Sequence, residues 1–198
     1  MTDAETLRVY DDMALTYQKV FSDKAADATL LAFIAALPDG GSVLDLGCGP
    51  GRSAMHMARA GLRVDATDAS ATMVGLAAQH PGVTAWQATF DALDAVAKYD
   101  GVWANFSLLH ADRADVPGHL GAIRRALVPG GLLHVGVKDG TGESRDSLGR
   151  RYTYFTLPEM QDMLRASGFT PGPATHGVGP GLDGTTAPFF TLSAVSDA

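Results

Sequence analysis

One cysteine, Cys48, stands in 198 residues, so no disulfide can form within the chain, and a reducing compartment suits it. Positive charge is also scarce: 15 Lys and Arg against 22 Asp and Glu leave a formal charge of -7. A nucleic-acid partner is therefore not expected, because such binding usually needs a clustered basic surface to displace counterions. Neither an uninterrupted run of 18 apolar residues nor a signal-peptide pattern occurs, so the expectation is a cytoplasmic protein with no membrane partner. His56, His80, His119 and His176 share no ligand spacing with carboxylates or Cys48, and no metal site is expected. No Gly-Lys-Ser/Thr follows the glycine loop, which excludes a P-loop. Internal repeats and low-complexity tracts are missing as well. What is present, 46% apolar and 19% charged residues, fits one globular domain over residues 1–198 that buries about 70% of its unfolded surface.

The chain is organised around Val43-Leu44-Asp45-Leu46-Gly47-Cys48-Gly49-Pro50-Gly51-Arg52. Apolar residues flanking Asp45 read as a short buried strand, and the glycines turn the chain into a helix over 52–60. Glycine admits positive φ and lets a ligand approach the backbone with no Cβ in the way. At the carboxyl end of the first strand of an open α/β sheet, such a loop is where nucleotide-like ligands bind. A dinucleotide loop reads G-x-G-x-x-G, but Arg52 stands where its third glycine belongs. Asp45 also suits an ammonium better than a pyrophosphate. Both features disfavour an NAD-dependent oxidoreductase. Asp68, twenty-three residues after Asp45 and at the tip of a second strand, can accept both hydroxyls of a ribose.

These stretches, Val43 to Gly51 and Val64-Asp65-Ala66-Thr67-Asp68-Ala69-Ser70-Ala71-Thr72-Met73, resemble the class I, Rossmann-like S-adenosylmethionine-dependent methyltransferases. The resemblance continues through Tyr99 to Asn105 and Leu127-Val128-Pro129-Gly130-Gly131, about two thirds of the chain. It implies a three-layer α/β sandwich whose seven-stranded sheet is mostly parallel with an antiparallel last strand, plus an N-terminal helical lid. It also implies S-adenosylmethionine as cofactor, S-adenosylhomocysteine as product, and a small-molecule methyl acceptor. The implied cofactor site comprises Asp45, Gly47, Cys48, Gly49, Asp68, Ala69, Met73, Thr89, Phe90, Asn105 and Tyr17. Thr89 stands where the family commonly has an acidic residue near the adenine, with Asp91 close by as a substitute. A non-catalytic cofactor-binding module is the alternative that the motifs leave open.

Periodicity predicts helices over 6–21 and 25–37, forming a cap (1–40) ahead of a cofactor-binding core (41–137). Within the core, strands are expected over 62–68, 83–87, 99–104 and 132–137, with helices over 71–79 and through Val116, Leu120, Ile123 and Leu127. Alternation this regular means a parallel sheet wound right-handed. A polar, Gly-rich segment over 138–156 reads as a substrate-side loop, since loops of this length in compact domains usually carry function or are mobile. After it, Thr156-Leu157-Pro158-Glu159 makes a capping box for a helix ending at Gly168. Strands over 174–177 and 189–195 complete the segment 157–198.

Of the candidate chemical groups, His110 just past the fourth strand is the candidate general base, with a hydrogen bond to a backbone carbonyl as the alternative, and His134 inside the fifth strand is expected to be structural. Tyr10 and Tyr17 lie seven apart on one helical face, and the lid that the resemblance implies makes them candidate pocket walls, with half-buried packing residues as the alternative. Arg145, Arg150, Arg151, Tyr152 and Tyr154 gather donors near the acceptor. Arginine matches carboxylates and phosphates in bidentate fashion, which points to an anionic acceptor. Asp139, Glu143 and Asp146 lie among them, which points instead to arginines paired at the surface.

Overall fold

A computed structural model describes residues 3–21 and 26–197. Helices α1 (Ala4–Phe21) and α2 (Ala28–Ala35) precede the alternating series β1 (Ser42–Leu46), α3 (Arg52–Arg59), β2 (Arg63–Asp68), α4 (Ala71–Ala77), β3 (Val83–Gln87), β4 (Tyr99–Asn105), α5 (Val116–Ala126) and β5 (Leu127–Lys138). The chain then forms β6 (Glu143–Arg145), β7 (Arg151–Thr153), α6 (Leu157–Ala166), β8 (Phe169–Pro180) and β9 (Thr186–Ser196). Residue 25, the expected start of the second helix, lies outside the described residues. Asp27 caps α2 through Leu30 N–H, so the helix starts where a side chain satisfies its first donors.

The main sheet has seven strands in the order β3-β2-β1-β4-β5-β9-β8. Only β9 runs against its neighbours, pairing antiparallel with both β5 and β8. The strand order reverses between β1 and β4, and this leaves a crevice at their carboxyl ends. Helices cover both faces. Leu120, Ile123, Met160 and Leu164 from α5 and α6 pack with Val102, Leu133 and Val135 on one side. Phe33, Ala54 and Met57 from α2 and α3 pack with Val43, Val64 and Trp103 on the other. In α1, Thr6, Tyr10, Ala14 and Tyr17 recur at helical spacing on the inward face, and Ala14 and both tyrosines meet Met73 and Leu76 of α4. Among the described residues, no helix is long and apolar enough to cross a membrane.

Three expectations change. Strand β5 begins at Leu127 rather than 132 because Leu127 pairs with Tyr99, and an irregularity between Tyr99 and Gly101 absorbs Pro129-Gly130-Gly131. The segment 138–156 is not an open loop. Its middle folds into a hairpin, with Glu143, Ser144 and Arg145 opposite Thr153, Tyr152 and Arg151. Asp146 shapes the turn, since its Oδ1 accepts from the backbone N–H groups of Leu148 and Arg150. Strands β8 and β9 also run longer than the apolar stretches alone indicate, because their ladder continues to Pro180 and Thr186 regardless of side-chain polarity.

Candidate functional site

A cavity of about 440 Å³ opens at the crevice between β1 and β4, roofed by Thr6, Leu7, Tyr10 and Tyr17 of α1. Its floor is the glycine loop. The N–H groups of Gly47 and Cys48 both donate to Thr67 O, at 2.8 and 2.9 Å, which ties the loop to β2. The glycines serve different ends. At Gly47 a Cβ would stand 2.3 Å from Ser107 Cβ, so that position is needed for packing. At Gly49, with φ 53°, a Cβ would meet nothing nearer than Tyr17 at 4.0 Å and would project into free space beside the tyrosine. The second glycine therefore leaves open the approach that a ligand requires.

Two carboxylates stand beside this loop. Asp45, only 3% exposed, accepts from Ala54 N–H at the start of α3, at 3.1 Å. Burial pushes its pKa up to about 7, and the nearby Asp68 adds to the effect. A buried carboxyl held to a single donor fits a ligand that brings a cation. Asp68 receives Gly49 N–H and Ser70 N–H, each at 2.9 Å, so the second strand's acid fixes the conformation of the first strand's loop. Burial raises its pKa as well. Cys48 lines the cavity, but its thiol is buried, donates to Gly49 O, and is pushed well above the usual thiol range by burial.

Ala69, Met73, Thr89, Phe90 and Asn105 all line the same cavity, as the sequence leads one to expect. Asp91 does not. Its exposed carboxyl is held below the ordinary range by its own backbone N–H and the Thr89 hydroxyl, within the turn Phe90–Ala92. Asn105 Oδ1 accepts from His134 Nε2–H at 2.9 Å, and His134 stacks on Trp103 with centroids 3.7 Å apart, a structural role. The lining residues missed from the sequence include Thr6, Leu7, Trp103 and Phe106. Thr6 and Leu7 lie four and three residues before Tyr10 and could have been found by helical spacing. The turn conformation at Phe106 left no sequence signal.

His110 lies at the cavity wall, and its ring is fixed from both sides. Nδ1 is 2.7 Å from Arg151 O, a pure acceptor, so Nδ1 carries the proton and Nε2 accepts from the Tyr10 hydroxyl at 2.8 Å. Burial lowers its pKa to about 4, which keeps the imidazole neutral and able to take a proton. Arg150 Nη1 donates to the Tyr10 oxygen at 3.2 Å.

The arginines do not assemble as an anion clamp. Arg150, 2% exposed, is committed to Asp146 Oδ2 through Nε at 2.9 Å and Nη2 at 2.6 Å. Arg145 grips both oxygens of Asp3, and Arg151 pairs with Asp112 and Glu143. None of the three lines the cavity, and neither does Tyr152 or Tyr154. Tyr152 is buried behind His110, with centroids 4.8 Å apart, and the Tyr154 hydroxyl accepts from Ser144 Oγ at 3.2 Å. The carboxylates around the arginines are the reason: the hairpin's cations are neutralised within the hairpin, by Asp3 at the start of α1 and by Asp112 ahead of α5. Among the described residues, no group of three or more His, Cys, Asp or Glu is placed to hold a metal ion.

The glycine loop, the two acids and the strand reversal can be set against known proteins. A family described as a methyltransferase domain matches residues 43–131, from β1 into the start of β5. The fold superposes with a TM-score of 0.77 on the 1,6-didemethyltoxoflavin-N1-methyltransferase of Burkholderia thailandensis, solved with its acceptor and S-adenosylhomocysteine. That match covers 98% of this chain and 88% of that one at 24% identity. Residues 43–131 of this chain thus match a methyltransferase domain, and the chain has the fold of a solved methyltransferase. An O-methyltransferase, resE, of Aspergillus sclerotiorum is 31% identical to this chain over 147 residues, 66% of this chain and 55% of the relative. The cypemycin N-terminal methyltransferase of a Streptomyces species is 46% identical over 65 residues, 31% of this chain and 26% of its own. The chain thus spans about half or less of the length of these two relatives.

Proposed function

We propose that this chain transfers a methyl group from S-adenosylmethionine to the oxygen or nitrogen of a small molecule by in-line displacement. The observation that carries the reading is the pairing of an open Gly49 with two buried acids, Asp45 and Asp68, at the strand reversal. In this reading Asp45 faces the ammonium end of the cofactor, Gly47, Cys48 and Gly49 line its path, and Asp68 takes the ribose hydroxyls. Ala69, Met73, Thr89 and Phe90 enclose the adenine, while Asn105 and Tyr17 close the sides. The cofactor supplies a methyl group already activated on a sulfonium. What the protein adds is alignment, exclusion of water and removal of the acceptor's proton.

In this reading Tyr10 and His110 perform that last task. The expected base is modified accordingly: Nε2 of His110 is reached through the Tyr10 hydroxyl. As the acceptor forms its bond to the methyl carbon and the carbon–sulfur bond breaks, the acceptor's proton passes to the Tyr10 oxygen and Tyr10's own proton to Nε2. The resulting imidazolium keeps its Nδ1–H on Arg151 O.

Calorimetric titration with S-adenosylhomocysteine and, separately, NAD tests the cofactor assignment. The homologue should bind saturably and NAD should not; NAD binding alone would sink the reading. Incubation of a metabolite extract with the protein and methyl-labelled cofactor, followed by mass spectrometry, should then reveal a labelled product. Its absence alongside tight homocysteine-adduct binding would favour a non-catalytic module.

A further inference from the structure

Phe106 is one of two described non-glycine residues with positive φ, at 56°, and the one of the pair that lines the cavity. A left-handed conformation is unfavourable for a residue with a bulky Cβ, and it persists only where the surroundings impose it. Here they do. Phe106 N–H donates to Gly136 O at 2.9 Å, Asn105 on one side is held by His134, and Ser107 on the other is pressed against Gly47. The consequence is that a phenyl ring at the end of β4 stays 37% exposed and lines the cavity that His110 also lines, instead of entering the core. Phe189 of β9 meets it edge-on, with centroids 5.3 Å apart and planes at 84°, which fixes the ring's orientation.

The other groups at this end of the cavity carry no charge. Leu7 is apolar, Tyr10 is a phenol, and His110 is a neutral imidazole whose two nitrogens are both engaged. The guanidinium behind Tyr10 is already satisfied by Asp146. An anion entering here would lose its hydration without touching a cation at this end of the lining, since Arg150 is held by Asp146 and Lys138 Nζ lies 3.6 Å over the Tyr152 ring behind His110, a penalty that disfavours carboxylates and phosphates. A flat, uncharged ring would cover the exposed face of Phe106 and turn a polar hydrogen toward Tyr10.

Resting on the methyl-transfer reading, we infer that the acceptor is an uncharged aromatic or heteroaromatic molecule bearing an O–H or N–H, seated on Phe106 with that hydrogen directed at Tyr10. This departs from the anionic acceptor that the arginines of the sequence indicate.

The test uses the full chain saturated with S-adenosylhomocysteine, with 1-naphthol and 4-hydroxyquinoline as neutral probes and 1-naphthoate and 1-naphthyl phosphate as anionic ones. Ligand-observed NMR should detect the neutral pair, with the anionic pair bound at least tenfold more weakly. Phe106→Gly removes the ring and accepts positive φ, so it should weaken the neutral probes about tenfold or more. Homologue affinity should hold, and the melting midpoint should stay within about 2 °C. Anionic probes binding as well as neutral ones, no binding of either neutral probe, or equal probe binding by Phe106→Gly would each overturn the inference. A fall of many degrees in the variant's midpoint would make Phe106 a packing residue and overturn it too. Failure of the unmodified protein to bind the homologue would strike the methyl-transfer reading instead, at a separate step.

Discussion

At the scale of single residues, the two acids of the cavity have unequal duties. Asp68 both faces the proposed ribose position and receives Gly49 N–H and Ser70 N–H. Asp68→Ala should weaken S-adenosylhomocysteine about 10- to 150-fold, from a charged hydrogen bond worth roughly 1.5–3 kcal/mol. Asp68→Asn, which keeps an acceptor oxygen for the loop, should lose less. Calorimetry on both variants checks the order, and an unchanged dissociation constant in Asp68→Ala would remove the ribose assignment. The glycines separate in the same way. Gly49→Val should abolish homologue binding while costing the fold about 1–2 kcal/mol for a left-handed valine. Gly47→Ala should hit the fold first, because its methyl meets Ser107 at 2.3 Å. Melting curves beside binding isotherms distinguish the two, and a Gly49→Val variant that binds normally would mean the loop is not the pocket floor.

At the scale of elements, the β6–β7 hairpin is the support for α1 and, through it, for the cavity roof. Arg151 N–H donates to Thr6 Oγ1 at 2.8 Å, Arg145 holds Asp3, and Arg150 reaches Tyr10. These ties differ in weight. The Arg145 pair is exposed and screened by solvent, whereas Arg150 and Asp146 are 2% and 7% exposed in their side chains. Removing one partner of a buried pair strands the other, so Arg150→Met should destabilise by roughly 3–5 kcal/mol in urea unfolding. Arg145→Ala should leave the midpoint nearly unmoved. Equal, small effects would show that the hairpin contributes little to holding the roof.

At the scale of the whole molecule, the sheet order decides where ligand and stability meet. Asp45 sits on a central strand and anchors the start of α3, so its titration is felt by the entire fold. Its folded pKa, near 7, lies above the ordinary carboxylate value, which means the folded form holds its proton where the unfolded form has lost it. In the ligand-free protein, Asp45's contribution to stability is therefore complete below about pH 4 and is lost as pH rises through about 7. A ligand ammonium reverses the preference, because it favours the ionised carboxylate. S-adenosylhomocysteine should consequently bind up to about tenfold more weakly per pH unit below 7, and should raise the melting midpoint more at pH 8 than at pH 5.5. Asp45→Asn should flatten this dependence. A homologue affinity independent of pH between 5.5 and 8 would show that Asp45 does not face the ammonium.

The sequence by itself determined the fold and singled out the glycine loop and the two acids that line the cavity. Apolar strands alternating with amphipathic helices and punctuated by glycines are local signals, and Asp45, Gly49 and Asp68 carry their chemistry at fixed offsets along single strand-to-helix turns. Only the tertiary structure decided the surroundings of the arginines, His110 and Phe106. Whether Arg145, Arg150 and Arg151 serve a ligand depends on carboxylates brought in from Asp3, Asp112, Glu143 and Asp146, two of them from distant parts of the chain. Likewise His110 becomes a one-sided acceptor only because Tyr10, a hundred residues earlier, and Arg151 O close on its two nitrogens. Phe106 turns outward because Gly136 and Gly47 leave room beside it and its N–H finds Gly136 O on the next strand. Such pairings depend on three-dimensional neighbours, and composition and spacing along one chain do not encode them.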